Sequence, residues 1–118
     1  MAEHNDLGKA GEAFALTVLL EKGFTLKEKN YRFSKAEIDL IMFQGNDLVF
    51  IEVKTRQTAE IGKPYLAVTR NKQRQIIKAA HQYIVSRDLD VNARFDVVSI
   101  VHNSYRTEIE HIIDAFTP

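Results

Sequence analysis

The sequence predicts a single α/β domain, in which a mixed β-sheet lies between helices in the chain order α-β-β-β-α-β-β. Three observations lead to this fold class. Two segments carry apolar residues at helical spacing, five short segments read as β-strands, and no repeat or Pro/Ser-rich linker interrupts the chain. The 118 residues are about one domain's worth, so we expect one domain over residues 1–118.

Composition excludes several classes of protein. Apolar residues make up 45% and charged residues 27%, values typical of a globular chain rather than a disordered one. The chain has no cysteine, which excludes disulfides, thiolate metal sites and thiol nucleophiles. No apolar run is long enough to span a membrane, and the first residues lack the features of a signal peptide. We therefore expect a cytoplasmic protein with no membrane partner.

The first half of the chain is predicted to form a helix and three strands. The helix begins at a cap on Asn5 or Asp6 and ends near Lys22, with Gly23 supplying the positive φ that follows many helices. Strands follow at residues 25–33, 37–43 and 48–55. The Gln-Gly-Asn-Asp sequence at 44–47 predicts a tight hairpin between the second and third strands.

The second half is predicted to hold one helix and two closing strands. Residues 56–68 form a loop that contains Gly62 and Pro64, and Thr69 then caps a helix that runs to about Arg87. Apolar residues recur along that helix at positions 76, 77, 80 and 84. The closing strands are predicted at residues 95–101 and 108–113.

Charge is distributed unevenly although the formal net charge is zero. Residues 54–78 hold seven basic residues, including Arg56, and one acidic residue, which predicts a basic zone on an acidic body. Arg70, Arg74 and Lys78 recur every four residues and would form one stripe along the second helix. The stripe is either a solvated helix face or a surface that binds nucleic-acid phosphates.

The hairpin places acidic residues opposite one another. For a loop centred on Gly45 and Asn46, facing positions have numbers that sum to 91, so Asp39 faces Glu52 and Glu37 faces Lys54. Facing Cβ atoms lie roughly 5 Å apart, close enough for two carboxylates to bind one hard cation. Alternation turns the neighbours of these residues to the other face of the sheet: Ile38, Leu40, Ile51 and Val53.

Each of these acidic residues also has a structural interpretation. The hairpin residues could be the solvated face of an antiparallel pair, although that face also carries apolar side chains. Glu12, on the first helix, is either a solvated glutamate at the helix edge or a third carboxylate that packing lowers onto the other two.

The motifs around these acids resemble a known family. They are Gly-Glu at 11–12, Glu-Ile-Asp-Leu at 37–40 and Val-Phe-Ile-Glu-Val-Lys-Thr-Arg at 49–56, with further matches at 30–32, 62–64, 67–68 and 94–98. Over about residues 7–116 the chain resembles the bacterial YraN-like proteins, also called UPF0102. That family is similar to the restriction-endonuclease-like superfamily, with the PD-(D/E)xK arrangement found in archaeal Holliday-junction resolvases.

The resemblance implies a restriction-endonuclease-like sandwich and a metal-dependent nuclease. It implies that Asp39 and Glu52 bind Mg²⁺ or Mn²⁺ together with the Val53 carbonyl, that Lys54 is the motif lysine, and that Glu12 completes the site. Such a site would hydrolyse DNA phosphodiester bonds, with branched or structured DNA as the expected substrate. Two supporting residues follow, namely Glu37, which would hold the Lys54 ammonium, and Gln73, a polar helix residue near the metal.

A second class of function stays open, namely a nucleic-acid-binding module that keeps the nuclease fold without turnover. For the nuclease and for this module the partner is nucleic acid, with DNA favoured over RNA. A third possibility is an adaptor whose basic helix docks on an acidic protein. A homodimer is expected only by analogy with the resolvases.

Overall fold

The fold is an α/β sandwich built on one five-stranded sheet. The computed structural model describes residues 2–58 and 68–118, and the side chains of the first range from residue 7 onward. Within these ranges the elements are α1 (Ala2–Glu21), β1 (Thr25–Phe33), β2 (Ala36–Gln44), β3 (Asp47–Arg56), α2 (Arg70–Ser86), β4 (Asn92–His102) and β5 (Thr107–Phe116). The predicted α-β-β-β-α-β-β order and fold class are confirmed.

The sheet is mixed because one connection crosses over. Its strand order is β1-β2-β3-β4-β5, in which β3 and β4 run parallel and every other neighbouring pair is antiparallel. The segment between β3 and β4 contains α2, which gives parallel neighbours the crossover they need. The carboxyl ends of β3 and β4 therefore meet at the same edge of the sheet.

The two helices cover opposite faces of the sheet. Ala15 and Leu19 of α1 pack in one apolar cluster with side chains from β2, β3 and β4. Ile76, Ala79, Ala80 and Tyr83 of α2 pack in a second cluster with residues that include Phe50 and Phe95. Among the residues that the structure describes, neither helix is long and apolar enough to cross a membrane.

Several element boundaries differ from the sequence prediction. The helix α1 begins at Ala2 rather than after a cap at Asn5 or Asp6, since no glycine or proline before Leu7 interrupts it. The strands β4 and β5 are longer than predicted, because residues 92–94 pair with β3 and the ladder between β4 and β5 runs from Phe95↔Phe116 to His102↔Thr107. Most of the predicted loop at 56–68, with Gly62, Pro64 and the matches at 62–64, lies outside the described residues.

The closing strands are held by a buried carboxylate with a full set of partners. Asp96 is completely buried, and its oxygens accept hydrogen bonds from Arg94 Nε at 3.0 Å, Arg94 Nη2 at 2.9 Å and the Asp114 amide at 2.9 Å. His111 Nε2 lies 2.7 Å from the same carboxylate. Burial opposes the charge of Asp96, but the bonds from His111, Arg94 and Asp114 outweigh it and lower the pKa of this carboxyl.

A glycine sets the distance between α1 and β3. Gly11 is buried against Thr55, and a Cβ at position 11 would overlap the Thr55 hydroxyl and lie 2.9 Å from Thr55 Cβ. A Cβ at Gly8, one turn earlier, would meet nothing within 4 Å. Gly11 thus allows α1, and with it Glu12, to approach the strand that carries Glu52 and Lys54.

Gly11→Ala should therefore destabilise the protein, and Gly8→Ala provides a matched control. The added methyl at position 11 forces α1 away from β3, at an expected cost of about 1–3 kcal/mol. The same change at position 8 should stabilise the helix by roughly 0.5–1 kcal/mol, because alanine favours the helical backbone. Urea unfolding of both variants measures the difference, and equal stabilities would show that α1 does not depend on this close approach.

Candidate active site

Asp39 and Glu52 lie side by side where the central hairpin comes apart. The observed pairing runs from Gln44↔Asp47 to Leu40↔Ile51, so the facing numbers sum to 91 as predicted. Asp39 and Glu52 are the next positions on their strands, and there a side chain replaces the backbone ladder: the Val53 amide donates a 2.8 Å hydrogen bond to Asp39 Oδ2. We call Asp39 and Glu52 the acid pair; their exposed fractions are 7% and 5%.

The alternation of β2 reverses at Asp39. Leu40 and Met42 pack on the α1 side, as the period of two requires, whereas Ile38 packs on the α2 side with Ile41. The prediction that Ile38 shares a face with Leu40 is therefore wrong. The reversal coincides with the end of the β2–β3 ladder at Leu40↔Ile51, and Asn30 of β1, which lies opposite Asp39, also leaves the extended backbone with a φ of 52°.

Glu52 has one oxygen bound and one oxygen without a partner. The Lys72 ammonium of α2 forms an ion pair with Glu52 Oε2. The other oxygen, Oε1, is buried and has no hydrogen-bond partner among the residues that the structure describes. A buried carboxylate oxygen without a partner is costly, so this atom marks a position where a cation or donor would stabilise the protein.

The surroundings of Asp39 disfavour its charge. Burial, followed by the charge of Glu52, raises the pKa of Asp39 to about 8, against the opposing effect of the Val53 amide. The charge of Glu12 adds to the rise. Two neighbouring buried carboxyls that disfavour each other's negative charge are typical of sites that bind a divalent cation.

The sequence analysis did not assign Lys72 to the site. Its backbone amide donates a 3.2 Å hydrogen bond to the Thr69 hydroxyl, which confirms Thr69 as the cap of α2 and fixes Lys72 in the first turn. The residue continues the buried stripe of α2 backward by one turn from Ile76. Extending the apolar spacing of the helix into its polar first turn is the signal that could have found it.

Glu12 lies close to the acid pair without joining it. Its Oε1 accepts a 3.0 Å hydrogen bond from Asn30 Nδ2, the residue of β1 that lies opposite Asp39. Among the side chains described, those of residues 7–58 and 68–118, no three acidic or histidine groups converge on a single ion position. In this structure Asp39 and Glu52 are the carboxylates that lie together, while Glu12 acts on Asp39 through its charge.

The predicted contact between Glu37 and Lys54 is wrong. The paired ladder of β2 and β3 ends before these residues. Glu37 instead accepts a 2.9 Å hydrogen bond from Nε of Arg32, its neighbour on β1. Lys54 is exposed, lies two residues beyond Glu52 on β3, and forms no ion pair with a described residue. Its ammonium is therefore accessible to a ligand at the edge of the acid pair.

Two further predicted residues have defined positions. Gln73 donates a 3.0 Å hydrogen bond from Nε2 to the Val68 carbonyl and so supports the entry of the chain into α2. The Val53 amide contacts Asp39, whereas the role of the Val53 carbonyl as a ligand stays a prediction.

The basic residues of α2 face solvent. Arg70, Arg74 and Lys78, which we call the basic stripe, are all exposed and form no ion pair with a described residue. Arg74 and Lys78 also line a groove with apolar residues that include Ile77 and Phe95. Arg56 ends β3 and is partly buried. The basic zone thus begins beside the acid pair and continues along the exposed side of α2.

Comparison with known proteins assigns the chain to a family. The model of the uncharacterised protein family UPF0102 matches residues 11–100. The chain belongs to the UPF0102 family. It is 47% identical over 116 residues to a UPF0102 protein of Christiangramia forsetii, with 98% of each chain covered. A UPF0102 protein of Geobacter metallireducens is 46% identical over 118 residues, with 98% of this chain and 97% of that protein covered.

The UPF0102 match contains the whole candidate site. Residues 11–100 include Gly11, Glu12, the acid pair, Lys54 and Lys72. The predicted family is confirmed. The likeness to nucleases and resolvases belongs to the proposal below.

Proposed function

We propose that this UPF0102 protein is a divalent-metal-dependent endonuclease that hydrolyses phosphodiester bonds in DNA. The observation that carries the proposal is the buried acid pair, in which Glu52 Oε1 has no partner among the described residues and Asp39 has a pKa raised to about 8. Such a pair is better satisfied by a hard cation with oxygen ligands than by a proton and one lysine. The arrangement around it resembles the PD-(D/E)xK site.

The residues present fit Mg²⁺ or Mn²⁺. Asp39 and Glu52 would hold the ion, and Glu12 would add negative charge from the helix. When bound, the ion would supply a polarised phosphate and a water of lowered pKa. Because Lys54 is exposed next to Glu52, its ammonium can bind a phosphate oxygen and stabilise the charge that develops during cleavage.

The basic stripe supports nucleic acid as the substrate. Its three cations have no acidic partner among the described residues, whereas a solvated helix face usually alternates in sign. Phosphate contacts from Arg70, Arg74 and Lys78 would hold the nucleic-acid backbone along α2 and bring it to the acid pair.

A second candidate function has one observation in its favour. Lys72 already neutralises part of the acid pair, and only two acidic side chains converge there among the described residues. A chain with this arrangement could bind nucleic acid through the basic stripe without cleaving it. The experiments below separate the two functions.

Binding of a divalent metal ion should stabilise the folded protein. Mn²⁺ at one hundred times its Kd should stabilise the wild-type protein by about 2.7 kcal/mol, which raises Tm by roughly 8–15 °C. Asp39→Asn should lose most of this rise. Above pH 8, where the Asp39 carboxyl of the wild type is charged, the variant should unfold at a higher temperature than the wild type in EDTA, because it removes one charge from a crowded pair. Equal metal-dependent shifts in both proteins would place the metal elsewhere.

Changes at Glu52 and Lys54 should both reduce cleavage of DNA. Glu52→Gln removes a ligand charge while keeping the side-chain shape, and Lys54→Ala removes the neighbouring cation. Both should lower cleavage of DNA in Mn²⁺ by at least about a hundredfold, since each acts on the same transition state. Gel assays on single-stranded, duplex, flap and four-way DNA measure the loss and show which DNA structure is preferred.

Binding in EDTA is the control for these variants. Glu52→Gln should bind DNA as well as the wild type, because a repulsive charge is gone, and Lys54→Ala should bind somewhat more weakly. Wild-type cleavage by Glu52→Gln would identify a contaminating nuclease or another site. Tight binding with no cleavage by any protein would establish the binding module instead.

Removal of the basic stripe should lower the salt dependence of DNA binding. Arg70→Ala, Arg74→Ala and Lys78→Ala together should lower the slope of log K against log salt by about 0.9 per residue on duplex DNA. Replacement of three exposed lysines away from α2, namely Lys22, Lys27 and Lys29, is the charge-matched control and should leave the slope nearly unchanged. Fluorescence anisotropy over a salt series measures both, and identical slopes would move the docking surface away from α2.

A further inference from the structure

The Lys72 side chain extends from the surface of α2 to the buried carboxylate of Glu52. Its side chain is 44% exposed, whereas the Glu52 side chain that it contacts is 5% exposed. The ammonium therefore reaches inward from the surface of α2, and it can leave Glu52 by rotation of the side chain alone. No packed element has to move for this to happen.

The backbone of Lys72 is fixed although its side chain can turn. The Thr69 cap holds the first turn of α2 through the Lys72 amide, and Gln73 supports the same turn through the Val68 carbonyl. This turn contains no acidic residue and begins with Arg70. A lysine that leaves Glu52 would therefore stay among positive groups at the amino end of a helix, where an anion is favoured.

The charges at the acid pair show why the lysine and a cation exclude each other. Burial opposes the charge of Lys72, but its bond to Glu52 outweighs that effect and raises the pKa of the ammonium, so it is held as a cation. With Lys72 in place, one positive charge faces two carboxyls, and Glu52 Oε1 still lacks a partner. A divalent ion would neutralise both carboxylates and leave Glu52 with no net charge to hold the lysine.

We propose that Lys72 is an internal counter-ion of the acid pair that is exchanged for a divalent cation and, once released, binds a phosphate of the substrate. This inference rests on the proposed function and names a residue that acts in two states. Without metal, Lys72 occupies Glu52 Oε2. With metal, its ammonium turns toward the phosphate backbone, beside Lys54 and Arg70.

The test compares metal binding with nucleic-acid binding in four proteins: the wild type, Lys72→Met, Lys72→Arg and Lys27→Met. Methionine keeps most of the lysine stem without its charge, and Lys27→Met is the charge-matched control on the exposed edge strand β1. Electron paramagnetic resonance of free Mn²⁺ gives the Kd for the metal alone. Anisotropy with a phosphorothioate-protected duplex gives DNA affinity in Mn²⁺ and in EDTA.

Lys72→Met should bind Mn²⁺ roughly tenfold more tightly than the wild type and Lys27→Met, since it lacks the competing charge-assisted bond. In Mn²⁺ it should bind the duplex roughly tenfold more weakly, because the released phosphate contact is missing. In EDTA its DNA affinity should change little, since the wild-type lysine is then held by Glu52. Lys72→Arg should shift the metal affinity in the opposite direction, because a guanidinium binds the carboxylate through two donors. It also provides a second measurement should the methionine variant fail to fold.

The outcomes separate this inference from the proposed function. An unchanged Mn²⁺ Kd in Lys72→Met and Lys72→Arg, with metal binding intact in the wild type, would overturn the exchange and leave the nuclease proposal standing. No Mn²⁺ binding by the wild type would overturn both. Equal loss of DNA affinity by Lys72→Met in Mn²⁺ and in EDTA would show a fixed phosphate contact and no exchange.

Discussion

The structure is organised around the burial of two neighbouring carboxyls at the end of the central hairpin. An uncompensated buried charge costs several kcal/mol, so the groups that stabilise Asp39 and Glu52 must contribute a proton, a hydrogen-bond donor or a positive charge. The Val53 amide and the Lys72 ammonium do so, and the raised pKa of Asp39 supplies the proton. The splayed hairpin and the first turn of α2 place the Val53 amide and the Lys72 ammonium.

A second buried carboxylate in the same sheet shows the difference between a structural acid and a functional one. Asp96 is fully buried, yet Arg94, His111 and the Asp114 amide satisfy both of its oxygens, and its pKa is lowered. Asp39 is buried to a similar degree and has its pKa raised. The same residue type thus binds strands together at one place in the sheet and carries an unfavourable charge at another.

The sequence was sufficient where local rules act alone. A two-residue turn at Gly45, which has a φ of 61°, sets the register of β2 and β3, and the register alone places Asp39 beside Glu52. Thr69 caps α2 because its hydroxyl can accept a hydrogen bond from the backbone amide three residues later, that of Lys72. These features depend on a few adjacent residues, so an amino-acid pattern can predict them.

The parts that the sequence did not predict depend on contacts between distant segments. Ile38 leaves the alternation of β2 just beyond the last pair of the β2–β3 ladder, Leu40↔Ile51, and there Glu37 contacts Arg32 instead of Lys54. Lys72 was missed since an apolar stripe defines a buried helix face only by its apolar members. A lysine can extend that stripe when it pairs with a buried carboxylate of the sheet, as Lys72 does with Glu52.

The distribution of the site over four elements has a consequence during protein synthesis. Glu12, Asp39, Glu52 and Lys72 come from α1, β2, β3 and α2, so the hairpin that carries the acid pair leaves the ribosome before the helix that covers it. Until α2 has been made, Glu52 therefore lacks the ammonium of Lys72 that it contacts in the folded protein. The candidate site is complete only after α2 has folded onto the sheet.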